Sequence, residues 1–254
     1  MINRRKQFGL TLPETAVVVA IAALMVALTI PAANMLLNSF ESQSGAKSMI
    51  SAALASARAI AAKEQRYAGI RFQKRYDPNN PDPLNASQYM IFIVYDFDRT
   101  TYANGFRAVD GIQPIKLPDS IGVMDSNVTG DAAVVTDSRL RDNTTFSIIF
   151  SPSGKLVIHY VRVWNRDGKI WSSNTSKDDV FNTEYNVQTA QIAMFHQDYY
   201  PGFGFDEESS RNGFYIYETK TLKQTNINRR WSDYLYRLKP VYINPYTGTI
   251  VDEK

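Results

Sequence analysis

Cysteine is absent from the 254 residues, which excludes disulfides, a cysteine-linked lipid anchor and thiolate metal sites together. Imidazole is almost as scarce. Only His159 and His196 occur, and His159 falls inside a strand-like apolar run with no second ligand at metal spacing, so both are expected in structural or surface roles. No G-x-S-x-G, H-E-x-x-H, P-loop or dinucleotide fingerprint appears. Asp206, Glu207 and Glu208 read as a solvated loop, and no run follows an EF-hand pattern. The expectation is a chain that is not an enzyme, with no catalytic residue, no metal and no cofactor.

Net charge excludes little more. The +3 balance of 28 basic and 25 acidic residues comes entirely from Arg4, Arg5 and Lys6, so the sequence pI of about 8.9 is no argument for nucleic acid. Those three residues open the most informative stretch, MINRRKQFG followed by LTLPETAVVVAIAALMVALTIPAANMLL. Glu14 stands alone in this apolar run. A charge at the centre of a membrane helix costs about 2.5–3.5 kcal/mol on insertion scales, so such a residue usually has a partner. From Thr15 to Leu37 a helix would extend about 34 Å, enough to cross a bilayer, with the basic residues holding the N-terminus in the cytoplasm. Pro13 suits a first helical turn, whereas Pro31 removes the bond to the Ala27 carbonyl and predicts a kink or hinge.

Basic residues, Gly9, LTLPE and an apolar helix, with Glu14 fifth in a chain that starts at Leu10, together resemble the type IV prepilin-like proteins. That group includes pilins and the pseudopilins of type II secretion. The resemblance implies cleavage between Gly9 and Leu10 by a prepilin peptidase, methylation of the new amino terminus, and assembly through Glu14. Leu10 stands where phenylalanine is more usual, and Pro13 where an aliphatic residue is. Cleavage would also leave an ammonium on Leu10 and a carboxylate on Glu14 about one helical turn apart, where they could compensate within a chain or between subunits.

Beyond the leader (1–9) and the membrane segment (10–37), the helix is expected to continue amphipathically over 38–66. Met49, Ile50, Ala53, Leu54, Ala57, Ile60 and Ala61 form its stripe, with Gly45 a weak point. A β-rich head over 67–254 follows, with strands at 68–73, 88–97, 145–150, 155–164, 213–219 and 240–244. SPSG predicts a hairpin after Phe150. A short helix over 228–238 should turn Trp231, Leu235 and Leu238 inward. Polar stretches at 76–87 and 165–212 exceed ordinary connections, the second reading as an insertion. The AGIRF strand, the LPDSIGV stretch and the FSPSGKL hairpin are similar to the minor pseudopilin H and FimT group. The fold class expected is α+β: a long N-terminal helix, its first half spanning the membrane, packed on an antiparallel sheet in the pilin-like manner.

The expected function is a minor pseudopilin of a type II secretion pseudopilus, single-pass in a bacterial inner membrane with a periplasmic head. Its partners would be prepilin peptidase, other pseudopilins or pilins, and the inner-membrane assembly platform. Nucleic acid is not among them. Two alternatives stay open: a minor type IV pilin whose head binds DNA or a surface, with Arg229 and Arg230 as the contact, and a membrane-anchored hydrolase whose leader mimics a prepilin.

Overall fold

The computed structural model describes residues 13, 16–19, 21, 25, 42–78, 82–101, 103–127, 137–169, 175–198 and 207–252. Two compact units are distinguished, Met1–Phe40 and Glu41–Lys254. In the first, every described position is helical. Among the described residues no helix is long and apolar enough to cross a membrane, so the expected single-pass inner-membrane placement is not supported. The second unit does not supply a span either. Its first helix, α1 (Gln43–Glu64), has 22 residues and is apolar along one stripe only.

Ser42 caps α1 by accepting from the Gly45 N–H, and Gln65 ends it in the left-handed conformation. Ala46, Ile50, Ala53, Leu54, Ala57 and Ala61 are buried, matching most of the expected stripe. Arg58 ties the helix to two turns, donating to the carbonyls of Gly154 and Thr247 at 2.8 Å each.

The pilin-like expectation of one helix on an antiparallel sheet is corrected by the sheet. Its central strand β1 (Ala68–Lys74) pairs antiparallel with β2 (Gln88–Tyr95) and with β6 (Phe146–Phe150). Past the short helix α2 (Phe97–Thr100), β3 (Gly105–Ala108) and β4 (Ile115–Lys116) share the far side of β2. Strand β5 (Ile121–Asp125) joins another sheet, and α3 (Asp137–Asn143) precedes β6. The SPSG turn sends β6 back into β7 (Leu156–Val157), with Gly154 at φ 74° as a hairpin turn demands. The next strand, β8 (Tyr160–Trp164), runs parallel to β3 at the opposite end of the strand order.

The run expected as one strand over 155–164 is thus two strands on opposite borders of the sheet, separated only by Ile158 and His159. A sheet whose two borders are that close along the chain must curl. Ser210 bridges the gap: its hydroxyl donates to the Val157 carbonyl at 3.0 Å and accepts from the His159 N–H at 3.0 Å. Beside it β11 (Glu208–Ser209) extends β8.

Inside the curl lies a core of Ile91, Ile93, Phe106, Ile149, Val161 and Val163, closed by Val180, Phe181 and Phe195. Phe181 and Phe195 belong to a parallel pair, β9 (Phe181–Asn182) and β10 (Phe195–His196). The other face of β1, with Ala68, Ile70 and Phe72, packs under α1. A four-stranded antiparallel sheet of β5, β12 (Gly213–Glu218), β13 (Val241–Ile243) and β14 (Ile250–Asp252) contributes to that same core. Outside it, α4 (Thr219–Gln224) and the irregular helical turns at 227–237 cover Met124 and Tyr217, with Leu235 buried and Trp231 and Leu238 packed alongside.

Candidate functional site

The processing residues suggested by the leader motif, Gly9 and Leu10, the assembly residue Glu14 and the expected hinge Pro31 lie outside the described residues. The described chemistry of the head centres on β1. Strand alternation sends Gly69, Arg71 and Gln73 to the inner face of the curl, opposite Ala68, Ile70 and Phe72. Arg71 is 1% exposed. Its Nη2 donates to Asp198 Oδ1 at 2.5 Å and its Nε to Gln73 Oε1 at 2.8 Å. Gln73 passes the connection on, donating to the His196 carbonyl at 3.0 Å. The second Asp198 oxygen accepts from the Val163 N–H at 2.7 Å, so this carboxylate joins β1, β8 and the 195–198 segment.

Glu208, expected in a solvated acidic loop, is instead paired into β11 and stands 3.8 Å from Arg71 Nη1. It also lies 3.7 Å from Arg211, whose Nε donates to both oxygens of Asp125 at 2.7 and 2.8 Å. Burial pushes the Glu208 carboxyl up to about 7 and the Asp198 carboxyl up to about 6, with the Arg71 guanidinium opposing both. Among the described residues, Arg71 Nη1 and the Ser147 hydroxyl, which lie on paired residues of β1 and β6, have no hydrogen-bond partner.

This constellation offers charge but no nucleophile beside a base. His196 is buried and held neutral, its imidazole pulled down to about 3 by burial and then by Arg141; it packs edge-on against Tyr76 at 4.9 Å. His159 lies 4.4 Å from the Tyr67 ring and within 2.5 Å of the Tyr160 carbonyl. Among the described residues no group of three or more His, Asp or Glu could hold a metal ion. The cluster's evident work is to fasten the segment at 175–198 onto the sheet. Within that segment Asn182 donates to the Asp178 carbonyl at 2.8 Å and Asn186 to the Asn182 side-chain oxygen at 2.9 Å, which links its buried amides.

Arg229 and Arg230 do not share a surface. The Arg229 side chain is exposed and 3.4 Å from Asp233, whereas Arg230 is 3% exposed beneath the irregular helical turns. Trp231 packs edge-on to Tyr215 at 6.2 Å. A stacking platform flanked by two phosphate-binding arginines is therefore not assembled here.

Compared with protein families, curated proteins and solved structures, the chain matches none. Sequence reading missed Arg71 and Asp198. The available signal was an arginine and a glutamine alternating with Ile70 and Phe72, which reads as a solvent face unless something distant covers it.

Proposed function

We infer that this chain is a subunit of a type IV pilus-like filament, of the minor pseudopilin kind that serves type II secretion. It is processed between Gly9 and Leu10 and joins the filament through its N-terminal segment. The observation that carries this reading is the junction itself: RRKQFG, then LTLPE, with Glu14 fifth in the processed chain. An amine created on Leu10 and the Glu14 carboxylate are the compensating charges by which an incoming subunit registers on one already packed.

The outer face of α1 supports the reading from the head. Ser44, Ser48, Ala52, Ala55, Ser56 and Ala59 are exposed there. Side chains this small permit a neighbouring helix to approach closely, since interaxial distance is set by the residues at the contact. The separation of Arg229 from Arg230 weighs against a DNA-binding head.

The test is the amino terminus of the mature chain together with Glu14→Leu. Processing should begin the mature chain at Leu10, and the variant should be processed yet absent from filaments. A mature chain that keeps residues 1–9, or normal incorporation of the variant, refutes the assignment.

A further inference from the structure

At the end of β1 a cavity of about 80 Å³ lies among Lys74, the start of β2, the turn at Pro118 and Asp119, and α4. Lys74 lines it while being only 5% exposed. Its ammonium donates to the Ala86 carbonyl at 2.9 Å. No other acceptor and no carboxylate at ion-pair distance is found for it among the described residues. An ammonium carries three donors, and burying its charge without a counter-ion is costly.

A second cation lines the same cavity. Lys223, exposed on α4, has neither a hydrogen bond nor an ion pair among the described residues. Nearby carboxylates are engaged elsewhere. Asp82 accepts from the Leu84 N–H and from Asn85, and Asp119 accepts from Lys116 at 2.8 Å and Ser87 at 2.9 Å. Thr219 also lines the space, and its hydroxyl has no hydrogen-bond partner among the described residues.

We propose that this cavity binds one small tetrahedral oxyanion, the size of phosphate or sulfate, between Lys74 and Lys223 with the Thr219 hydroxyl as a further donor. The space exceeds what one water needs yet holds little more than a phosphate group. A substituent on that group would have to lie outside. The electrostatics agree with the geometry: burial first and Lys223 next draw Lys74 down to about 8, Arg141 adds to the effect, and Asp82 and Asp119 oppose it. An anion would relieve the two effects that dominate. The site is independent of the filament reading, because no residue of it belongs to the N-terminal segment.

Titration calorimetry on the full chain, at constant ionic strength, tests it with inorganic phosphate and with glycerol phosphate. One saturable site per chain is expected. Lys223→Ala removes one charge-assisted hydrogen bond and should weaken binding about tenfold. Asp119→Asn removes a like charge at the wall and should tighten it, an effect of opposite sign that general surface adsorption does not produce. Lys74→Met should abolish binding; if it does not fold, the exposed Lys223 carries the test. Binding of glycerol phosphate with the same Lys223 dependence assigns the site to phosphate monoesters, and binding of inorganic phosphate alone assigns it to the free ion. Absence of saturation, or affinities unchanged in both Lys223→Ala and Asp119→Asn, overturns the proposal.

Discussion

Replacing Asp198 by asparagine isolates what the buried ion pair contributes. The Asp198 side chain is fully buried and that of Arg71 is 1% exposed, so the variant leaves a guanidinium in the interior with Glu208, at 3.8 Å, as its nearest remaining carboxylate. Asparagine has one carbonyl oxygen for two donors. It can accept from Val163 or from Arg71, and its amide then faces the other donor. Breaking a buried pair in this way costs about 3–5 kcal/mol, and the partial compensation by Glu208 places the expected loss near the lower end. Against a total stability of about 5–15 kcal/mol that is a large fraction. The assay is urea unfolding followed by tryptophan fluorescence at pH 7, where the buried Trp164 reports on β8 beside Val163. In Arg71→Met with Asp198→Asn the stranded charge is gone and the asparagine oxygen is free for Val163. The double variant should therefore recover about 2 kcal/mol relative to Asp198→Asn alone. A single-variant loss below about 1 kcal/mol, or no recovery in the double variant, refutes the assignment of this pair as the fastening of the 175–198 segment.

Glu208→Gln should gain stability relative to the parent as pH rises. A carboxyl whose folded value is raised to about 7 from 4.5 binds more protons folded than unfolded in that interval, so its contribution is present at low pH and lost as pH climbs through 7. Glutamine does not titrate, and the difference between variant and parent, measured from pH 5 to 8, should reach on the order of 1–2 kcal/mol. The difference is the right quantity because His196, pulled down to about 3, contributes with the opposite sign. A flat difference across that range would remove Glu208 from the buried cluster. Gly69→Ala should destabilise by about 3 kcal/mol or more in the same unfolding assay, since the added Cβ would stand 2.0 Å from the Ile148 carbonyl oxygen, a backbone atom held in the neighbouring strand. A near-neutral effect would mean that β1 and β6 can separate at no cost.

Helical and strand periodicity made the skeleton of the head legible. The stripe on α1, the β1, β2, β6 and β12 segments, the SPSG hairpin and the inward Leu235 were all readable because each is a local pattern with a local cause. The readings that failed are those in which a distant element reversed the meaning of a local pattern. AGIRFQK alternates apolar and polar residues like a strand with one wet face, yet all seven residues are buried, because a segment more than a hundred residues downstream covers the second face. KLVIHYVRVW reads as one continuous strand, and nothing within it signals that Ile158 and His159 pass from one border of a curled sheet to the other. The stretch over 165–212 reads as a solvated insertion because asparagine and aspartate dominate it. In the described part Asn182, Asn186, Asp178 and Asp198 are buried and hydrogen-bonded, which leaves Val180, Phe181 and Phe195 to cap the core.

The two levels at which this chain carries meaning are therefore unequal in what they require. The proposed processing junction is a contiguous run whose chemistry, an amine that cleavage would make and a carboxylate four residues on, needs no tertiary context to be read. The head is the reverse. Its curl depends on contacts between residues far apart, such as Ser210 bonding Val157 and His159 where the chain leaves β7 for β8, and its charged interior depends on Arg71 meeting Asp198 across 127 positions. If the proposed filament reading holds, a mutation in the junction should leave the head folded and change only what the chain assembles with. A mutation at Arg71 or Asp198 should act first on the fastening of the 175–198 segment, and reach assembly only through the loss of a folded head.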